Sequence, residues 1–476
     1  MPQAPTEERV AQAPLTSEEL EAKIAELAAE LQVPGVAAGV YTNGEEIIAL
    51  HGVTSIENPL AITDDTLFQF GSTGKTFTAT AIMRLVEQGK IDLNAPVRTY
   101  IPELKLKDEE TAQKVTVLQL LNHSAGWQGD YFENTGQGDD ALAKYVEKLA
   151  ELDQVTPLGT QASYNNASLS LAGRLIEKVT GKTYEEAVKE LVLDPIGLES
   201  ISADPGLIMT KRFVVGHVNH EDGRVTIARP WPMARSVTPA GGWSSDVRDQ
   251  LKWARFHLGD GTGKDGVQVL SKATLDLMKE PTFSLGGGAI GDFVAISWLI
   301  KDIDGVRLVG HGGTTHGQLS AFQTAPEKDF AVVVLTNSTN GGQLHGKVVD
   351  FVLERVLGIA KPEEEPLTLT EEELKPYTGE FKNIGSTAHI TIADGKLSVK
   401  VKPDPELLAK AVEKGQVTEE QIEEAKNQPP IALDLLPDDK YVIADGRAKG
   451  MKGFFVRNES GEVFGINFGG RLSTRV

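Results

Sequence analysis

Apolar residues recur at helical spacing along several stretches of the chain, and short apolar runs bounded by turn residues mark others. The first helix is predicted to begin after Thr16 or Ser17 and to carry an apolar stripe as far as Leu31. A hairpin is predicted over residues 36–50, with its turn at Asn43-Gly44. Further helices are predicted over residues 72–88, 116–121, 141–152, 168–179, 184–193, 246–257 and 348–356, and further strands over residues 293–300, 306–310, 319–324 and 331–336.

Strands at both ends of this region enclose the helices, which predicts an α/β fold in which one sheet with helical cover carries an inserted helical lobe. After residue 360 the pattern changes to short strands separated by turns, which is typical of a small antiparallel barrel or sandwich. Seven strands are predicted there, over residues 379–382, 389–392, 397–401, 433–436, 440–444, 453–457 and 463–467. The predicted organisation is a disordered tail at 1–15, a main domain at 16–360 with its lobe at about 100–235, a linker at 361–369, and a barrel at 370–476 with a helical insertion at 404–428.

Composition narrows the range of functions. Of the 476 residues, 40% are hydrophobic and 24% charged, which is ordinary for a soluble globular protein. The formal net charge of −21 argues against nucleic acid or an anionic membrane as a partner, because phosphates would be repelled. The chain has no cysteine, so thiolate metal sites and a cysteine nucleophile are excluded. No apolar run is long enough to span a bilayer.

The first residues, Met1 to Arg9, are polar and contain two prolines, and they lack the apolar core of a signal peptide. Such a start is typical of a chain from which a signal has been removed, and a cytoplasmic protein fits nearly as well. We therefore expect a secreted or periplasmic location slightly ahead of a cytoplasmic one. The number of subunits is left open.

The strongest candidate chemistry lies in the stretch Phe70–Arg84. Gly71 and Gly74 bracket a turn, and the apolar run that follows predicts a helix beginning near Ser72. Residues three apart share a helix face, so Lys75 can reach the Ser72 hydroxyl. A neutral lysine can take the serine proton and make that oxygen a nucleophile. Read alone, the same four residues fit a helix cap followed by a solvated lysine, so partners elsewhere are needed.

Two other elements supply such partners. Tyr164 could accept the serine proton and pass it to a leaving group, and Asn166 could hold Lys75 or a substrate amide. A phenol beside an ammonium has its anionic form favoured. His311-Gly312-Gly313 precedes a predicted strand, so the backbone N–H of Thr314, together with that of Ser72, could form an oxyanion hole. These are the parts that acyl transfer by a serine requires.

Five segments in this order carry a likeness to a known family: Phe70–Thr78, Leu120–Gly126, Tyr164–Ala167, Pro239–Gly242 and Gly310–Gly313. The chain resembles the serine β-lactamase and penicillin-binding-protein superfamily, in its class C-like branch of family VIII esterases, D-aminopeptidases and amidases, and penicillin-binding-protein-type thioesterases. The resemblance covers about residues 17–357 and implies an antiparallel sheet flanked by helices. The C-terminal barrel resembles the lipocalin-like domain of several such hydrolases.

The resemblance implies that Ser72 is acylated, Lys75 is its base, Tyr164 relays the proton and Asn166 positions the reacting groups. The other histidines show no paired ligand spacing, so neither a metal site nor a cofactor is expected; they are His217, His220, His257, His316 and His345. His311 stands where β-lactamases and cell-wall transpeptidases typically carry a lysine. A neutral imidazole grips a substrate carboxylate more weakly than a permanent cation does, so hydrolysis of esters, amides or peptides is favoured over β-lactamase activity.

Three alternatives stay open beside hydrolysis: acyl transfer to an amine as in transpeptidation or peptide cyclisation, β-lactamase activity, and a non-catalytic relative that binds peptides. The expected partner is a small molecule or a peptide. Trp127 and Trp243 could line a substrate pocket, although packing is an equally good interpretation. His123 is interpreted as a structural hydrogen-bonding group. Gly286-Gly287-Gly288 follows no predicted strand, so a phosphate loop is not expected.

Overall fold

The computed structural model describes residues 14–361, 364–383, 385–413, 422–423, 426–446 and 448–476. The predicted tail therefore lies almost wholly outside the described residues, as does much of the predicted insertion at 404–428. The helices are α1 (Ser17–Leu31), α2 (Lys75–Glu87), α3 (Glu109–Lys114), α4 (Val117–Leu121), α5 (Ala141–Lys148), α6 (Asn166–Thr180), α7 (Tyr184–Val188), α8 (Asp194–Ile196), α9 (Pro205–Ile208), α10 (Thr238–Gly241), α11 (Val247–Leu258), α12 (Lys272–Leu277), α13 (Gly341–Val352), α14 (Glu371–Leu374) and α15 (Pro405–Glu413).

The described strands form one large sheet, a closed barrel and two short two-stranded sheets, β3-β6 and β4-β5. They are β1 (Gly35–Thr42), β2 (Glu45–Gly52), β3 (Phe68–Gln69), β4 (His217–Asn219), β5 (Val225–Ile227), β6 (Ser244–Ser245), β7 (Phe283–Gly288), β8 (Gly291–Val294), β9 (Leu299–Ile303), β10 (Val306–Gly310), β11 (Gly313–Thr314), β12 (Leu319–Ala325), β13 (Phe330–Thr336), β14 (Gly379–Lys382), β15 (Ser386–Ala393), β16 (Lys396–Pro403), β17 (Ile431–Leu435), β18 (Lys440–Ile443), β19 (Lys452–Arg457), β20 (Val463–Phe468) and β21 (Arg471–Arg475).

The large sheet runs in the order β2-β1-β13-β12-β10-β9-β8-β7, and β11 pairs with the start of β12. Its pairings are antiparallel throughout the described strands. Strand β13 lies near the middle and is buried along its whole length. Alternate residues serve opposite faces: Val333 packs with α2, α6 and α11 in the larger core, and Val332 and Val334 pack with α1 and α13 on the other side. The α/β fold class and the antiparallel sheet are thus confirmed.

Helix α2 is buried almost all round, with every residue from Lys75 to Met83 inaccessible. Thr80 satisfies its hydroxyl within the helix by donating to the Thr76 carbonyl at 2.8 Å, whereas Thr78 donates to the Pro239 carbonyl at 2.7 Å. Phe77 stacks on Trp253 of α11 with ring centroids 4.0 Å apart. A helix buried on nearly all sides belongs in the core of a large domain, and this one begins directly after the turn that carries Ser72.

One strand prediction is wrong. Residues 293–300 are not a single strand, because Ser297 adopts a left-handed backbone conformation (φ 57°) and separates β8 from β9. The three glycines 286–288, expected to follow no strand, lie within β7. Several helices also begin or end differently from expectation: α13 starts at Gly341, seven residues before the predicted start, and 189–193 forms a π-helical turn after α7.

The second unit is an eight-stranded closed antiparallel barrel, β14 to β21, with its own apolar core around Phe381, Tyr441 and Phe455. Seven of its strands were predicted, but the closing strand β21 was not. Its sequence, Arg-Leu-Ser-Thr-Arg, offers a single strongly apolar residue, and its role depends on pairing with both β20 and β14. Closure leaves the barrel with no free edge.

The turn between β20 and β21 joins the barrel to the main domain beside Ser72. The backbone N–H of Tyr164 donates to the Gly470 carbonyl at 2.8 Å, and that of Leu472 donates to Ser163 Oγ at 3.3 Å. These two bonds hold Ser163 and Tyr164, and Tyr164 is one of the candidate site residues. The barrel therefore contributes directly to the geometry of the site.

Gly173 of α6 offers a test of how tightly the core positions the site. A Cβ atom there would lie 2.2 Å from Cγ of Pro239, whose rigid ring belongs to α10. We expect Gly173→Ala to lower the free energy of unfolding by about 1–3 kcal/mol, because the helices must separate. The measurement is urea denaturation of the full chain.

Gly346, in the middle of α13, is the matched control, since a Cβ there meets nothing within 4 Å. Gly346→Ala is expected to be neutral or to stabilise by up to about 1 kcal/mol. Equal behaviour of the two variants would contradict the packing analysis.

Candidate active site

Ser72 lies in a 3₁₀ turn (Gly71–Gly74) that runs directly into α2, so Lys75 stands one turn after it. Lys75 is completely buried, and its Nζ has three neighbours at hydrogen-bonding distance. These are Ser72 Oγ at 3.0 Å, Asn166 Oδ1 at 2.6 Å and the Ala240 carbonyl oxygen at 2.6 Å. The structure therefore brings Ser72, Lys75 and Asn166 together as the sequence predicts.

These contacts determine what the amine can do. Burial, and secondarily the positive charge of Arg471, hold the pKa of Lys75 well below its ordinary value of 10.5. A neutral amine has two N–H donors and one lone pair. The Ala240 carbonyl and Asn166 Oδ1 only accept, so they take the two N–H groups and leave the lone pair facing the Ser72 hydroxyl. This is the arrangement of a general base beside a nucleophile.

Tyr164 and His311 line the same cavity as Ser72. The Tyr164 hydroxyl is hydrogen-bonded to Ser72 and stands 3.5 Å from His311 Nε2. The His311 Nδ1–H donates to the Gly312 carbonyl at 2.6 Å, so Nε2 carries the lone pair and can accept from the phenol. Burial, and then Lys75, lower the pKa of His311 to about 3, which keeps the imidazole neutral.

The phenol corrects one part of the sequence reasoning. The anion of Tyr164 was expected to be favoured by a neighbouring ammonium, but burial raises the pKa of this phenol above its ordinary value of 10.0. With Lys75 neutral, no adjacent ammonium offsets that desolvation. Tyr164 is therefore a neutral hydroxyl that both accepts and donates a proton, rather than a standing phenolate.

His123 fits the structural interpretation. Its Nδ1 accepts the backbone N–H of Asn165 at 3.1 Å, and its ring lies 4.5 Å from that of Tyr164. Burial lowers its pKa well below 6.5, so it is a neutral group that holds the Tyr164 segment in place. Its backbone is in the left-handed region, with φ of 61°, which places the ring under that segment.

Gly313 and Thr314 lie on β11, against the turn that carries Ser72. A Cβ atom at position 313 would be 2.0 Å from the Phe70 carbonyl oxygen and 2.7 Å from the backbone nitrogen of Ser72. Only glycine permits this approach, and it brings the backbone N–H groups of Ser72 and Thr314 to the same end of the cleft. The geometry suits the predicted pair of oxyanion donors.

Two predicted pocket residues lie elsewhere. Trp127 is 2% exposed and Trp243 is 3% exposed, and both belong to the main apolar core. The Trp243 indole donates to the Tyr184 hydroxyl at 3.3 Å, and its ring packs beside Gly74. Of the two interpretations open from the sequence, the structure therefore favours packing for both indoles.

The structure adds two residues that the sequence analysis missed, Asp130 and Arg471. Asn166 Nδ2 donates to Asp130 Oδ1 at 2.7 Å, and Arg471 Nε donates to Asp130 Oδ2 at 2.7 Å. The Arg471 guanidinium lies over the Tyr164 ring, 4.8 Å from its centroid. No local spacing links residues 341 positions apart, so the sequence held no signal for this pair.

A cavity of about 620 Å³ opens over Ser72, Tyr164, Asn166 and His311. Its lining includes the apolar residues Phe132, Met233, Val237, Ile290 and Leu299, and also the basic residues Lys301, Lys361 and Arg471. A volume of this size is ordinary for a site that holds a small organic ligand. Within the described residues there is no group of three or more His, Asp or Glu side chains placed to hold a metal ion. Of the helices in the described part of the chain, none is long and apolar enough to cross a membrane.

Comparison with known proteins places this geometry in a family. The family description that matches is Beta-lactamase, over residues 20–356. Penicillin-binding protein 4 of Amycolatopsis lactamdurans is 32% identical over 342 residues, which are 71% of this chain and 89% of that protein. The chain belongs to the Beta-lactamase family. Unguisins hydrolase ungD' of Aspergillus campestris is 25% identical over 69% of this chain and 63% of that relative.

Solved structures extend the likeness in fold. SurE has a TM-score of 0.75 with 23% identity over 97% of this chain and 99% of its own. A class C β-lactamase of Rhodobacter sphaeroides has a TM-score of 0.58 with 23% identity, over 71% of this chain and 99% of its own. The first alignment must therefore include most of the barrel, which lies beyond the part of the chain matched by the Beta-lactamase family.

The state of Lys75 predicts the pH dependence of Ser72 reactivity. Since the neutral amine is the active form, the labelling rate with a fluorophosphonate should fall as the pH drops through the lowered pKa of Lys75, and should plateau well below pH 10.5. His311, with a pKa of about 3, should add no step between about pH 5 and about pH 9. The measurement is the pseudo-first-order labelling rate from about pH 5 to about pH 11, so that the ordinary lysine pKa lies inside the range. A rise only near the ordinary lysine pKa would show that Lys75 is a solvated ammonium.

Proposed function

We propose that this protein is a metal-free serine hydrolase that acts through an acyl-enzyme on ester, amide or peptide substrates. One observation carries the proposal. The buried Lys75 amine contacts two groups that can only accept hydrogen bonds, Asn166 Oδ1 and the Ala240 carbonyl, so its lone pair faces Ser72 Oγ at 3.0 Å. A structural lysine would have no reason to be buried without a carboxylate in contact with it.

In the proposed mechanism Ser72 Oγ attacks the substrate carbonyl while Lys75 takes the hydroxyl proton. The oxyanion is held by the backbone N–H groups of Ser72 and Thr314. Tyr164 then delivers a proton to the leaving group and is reprotonated from Lys75, and its high pKa suits it to give a proton only to a strongly basic leaving atom. Water, activated by the same groups, hydrolyses the ester of Ser72.

The names of the relatives support this chemistry without fixing the substrate. They include a penicillin-binding protein, an unguisins hydrolase and β-lactamases. His311 favours esters, amides and peptides over β-lactams, because its neutral ring offers no fixed positive charge to a substrate carboxylate. We propose that its activity is like that of the carboxylesterases and D-aminopeptidases of the class C-like branch. We also propose that residues 16–360 and 370–476 are separate domains and that the barrel is lipocalin-like.

Removal of either central group should abolish turnover. Ser72→Ala lacks the nucleophile and Lys75→Ala lacks the base, so each should lower kcat for p-nitrophenyl acetate by about 10⁴-fold or more. A fluorophosphonate probe should label the parent chain at Ser72 and should not label Ser72→Ala. Ser460→Ala, in an exposed turn of the barrel, is the control and should be labelled like the parent. Full activity in Ser72→Ala would disprove the proposal.

A substrate panel then separates the alternatives. Esters, D- and L-aminoacyl amides, short peptides and nitrocefin would rank the substrate classes, and nitrocefin is expected to be the poorest. Adding an amine nucleophile and analysing the products distinguishes hydrolysis from acyl transfer. Peptide binding without any labelling of Ser72 would instead indicate a non-catalytic relative.

The proton-relay role of Tyr164 has its own signature. Tyr164→Phe removes the proton donor, so turnover of an aminoacyl amide should fall by about 10²- to 10⁴-fold. p-Nitrophenolate leaves without a proton, so the loss on p-nitrophenyl acetate should be clearly smaller. Comparison of kcat for the two substrates in parent and variant makes the test. Equal losses on both would assign Tyr164 to a step other than leaving-group protonation.

A further inference from the structure

Arg471 is the one side chain of the described barrel that joins the polar cluster around Ser72. It extends from the start of β21, where its own Nη1 donates to the Gly469 carbonyl at 2.8 Å. Its Nε and Nη2 both bond to the Asp130 carboxylate, at 2.7 and 3.2 Å. Asp130 lies in the loop before α5, so the ion pair links the helical lobe to the barrel across the edge of the cavity.

We propose that Asp130 and Arg471 are positioning residues that set the orientation of the Asn166 amide, and through it the direction of the Lys75 lone pair, so that the barrel completes the active site. This inference rests on the proposed function, because it concerns the same base and nucleophile. It assigns to the barrel a part in catalysis besides any part in substrate binding.

The argument begins with the Asn166 amide. A carboxylate only accepts, so Asp130 compels the amide nitrogen of Asn166 to face it and turns Oδ1 towards Lys75. With the amide reversed, an N–H group would face the amine and compete with the Ser72 hydroxyl for its lone pair. The base would then be blocked while every group stayed in place. A side chain that can be satisfied in two orientations needs such a neighbour to select one.

Arg471 in turn holds Asp130. Its two-point contact fixes the plane of the carboxylate. Its guanidinium lies 4.8 Å from the centroid of the Tyr164 ring, and Nζ of Lys75 lies 4.9 Å from the same centroid. The fixed cation also opposes protonation of Lys75, whereas Asp130 favours it. The other titratable groups facing the amine are the neutral side chains of Tyr164, His311 and His123.

The chain offers a matched control for an interaction that only stabilises the fold. Arg457 and Asp439 form a two-point ion pair of similar geometry within the barrel, with both contacts at 2.7 Å. This pair touches none of the residues around Ser72. A loss of activity caused by barrel destabilisation should therefore appear equally in Arg457→Gln.

The experiment compares full-length Arg471→Gln, Asp130→Ala, Asp130→Asn and Arg457→Gln with the parent chain. We expect kcat for p-nitrophenyl acetate to fall about ten- to a hundredfold in Arg471→Gln and Asp130→Ala with KM nearly unchanged, as for a displaced catalytic group. Asp130→Asn retains an acceptor oxygen and should keep more activity than Asp130→Ala. Arg457→Gln should retain the kcat of the parent.

The pH profile of fluorophosphonate labelling gives a second readout that a purely structural role would not move. Loss of the cation in Arg471→Gln should shift the acid limb to higher pH, and loss of the anion in Asp130→Ala should shift it to lower pH. Thermal melts show whether each variant is folded at the assay temperature.

Unchanged kcat and an unchanged limb in folded Arg471→Gln and Asp130→Ala would overturn the inference. So would an effect confined to KM, which would make Arg471 a substrate contact, or a parallel loss in Arg457→Gln. If the parent chain itself is not labelled at Ser72, it is the proposed function that fails. If the parent is labelled, these results test the positioning role alone.

Discussion

Burial of the Lys75 amine is the constraint on which the rest of the structure depends. A charged ammonium in the core would need a carboxylate in direct contact, and the groups in contact with this amine are a hydroxyl, an amide oxygen and a backbone carbonyl. The favourable state is therefore the neutral amine, and its two N–H groups have two fixed acceptors. The third position, which holds the lone pair, faces Ser72 and can accept the proton of its hydroxyl. Burial thus keeps the amine neutral, and the two fixed acceptors direct its lone pair towards Ser72.

Three parts of the fold are needed to enforce that burial. Helix α2 presents Lys75 from the middle of the core, α6 supplies Asn166, and α10 supplies the Ala240 carbonyl. The close approach of α6 to α10 at Gly173 keeps these acceptors together. On the open side, β11 brings Gly313 and Thr314 against the Ser72 turn. Ser72, Lys75 and Asn166 consequently lie where the helical lobe meets the sheet. The barrel adds a third neighbour to this cluster through Arg471.

Membership of the Beta-lactamase family agrees with this centre. The imidazole of His311 remains neutral in its buried position and offers no fixed charge at the edge of the sheet. Arg471 brings a cation from the barrel to the polar cluster, and it is already paired with Asp130. The neutral states of Lys75 and His311 are thus both consequences of burial.

The sequence alone determined those features that depend on local spacing. The spacing of Ser72 and Lys75 places them on one helix face. Alternating apolar residues and turn residues predicted most of the strands. Tyr164, Asn166 and His311 lie in segments similar to those of a known family. Tertiary structure decided what long-range packing controls. Trp127 and Trp243 are buried in the core rather than in the cleft. The predicted strand 293–300 is divided at Ser297, whose backbone is left-handed. Strand β21 is defined by its pairing with both β20 and β14, which closes the barrel. Arg471 reached Asp130 across 341 residues because the barrel docks on the lobe. Periodicity reports which face of an element is buried, but only the packed chain determines which distant side chain meets that face.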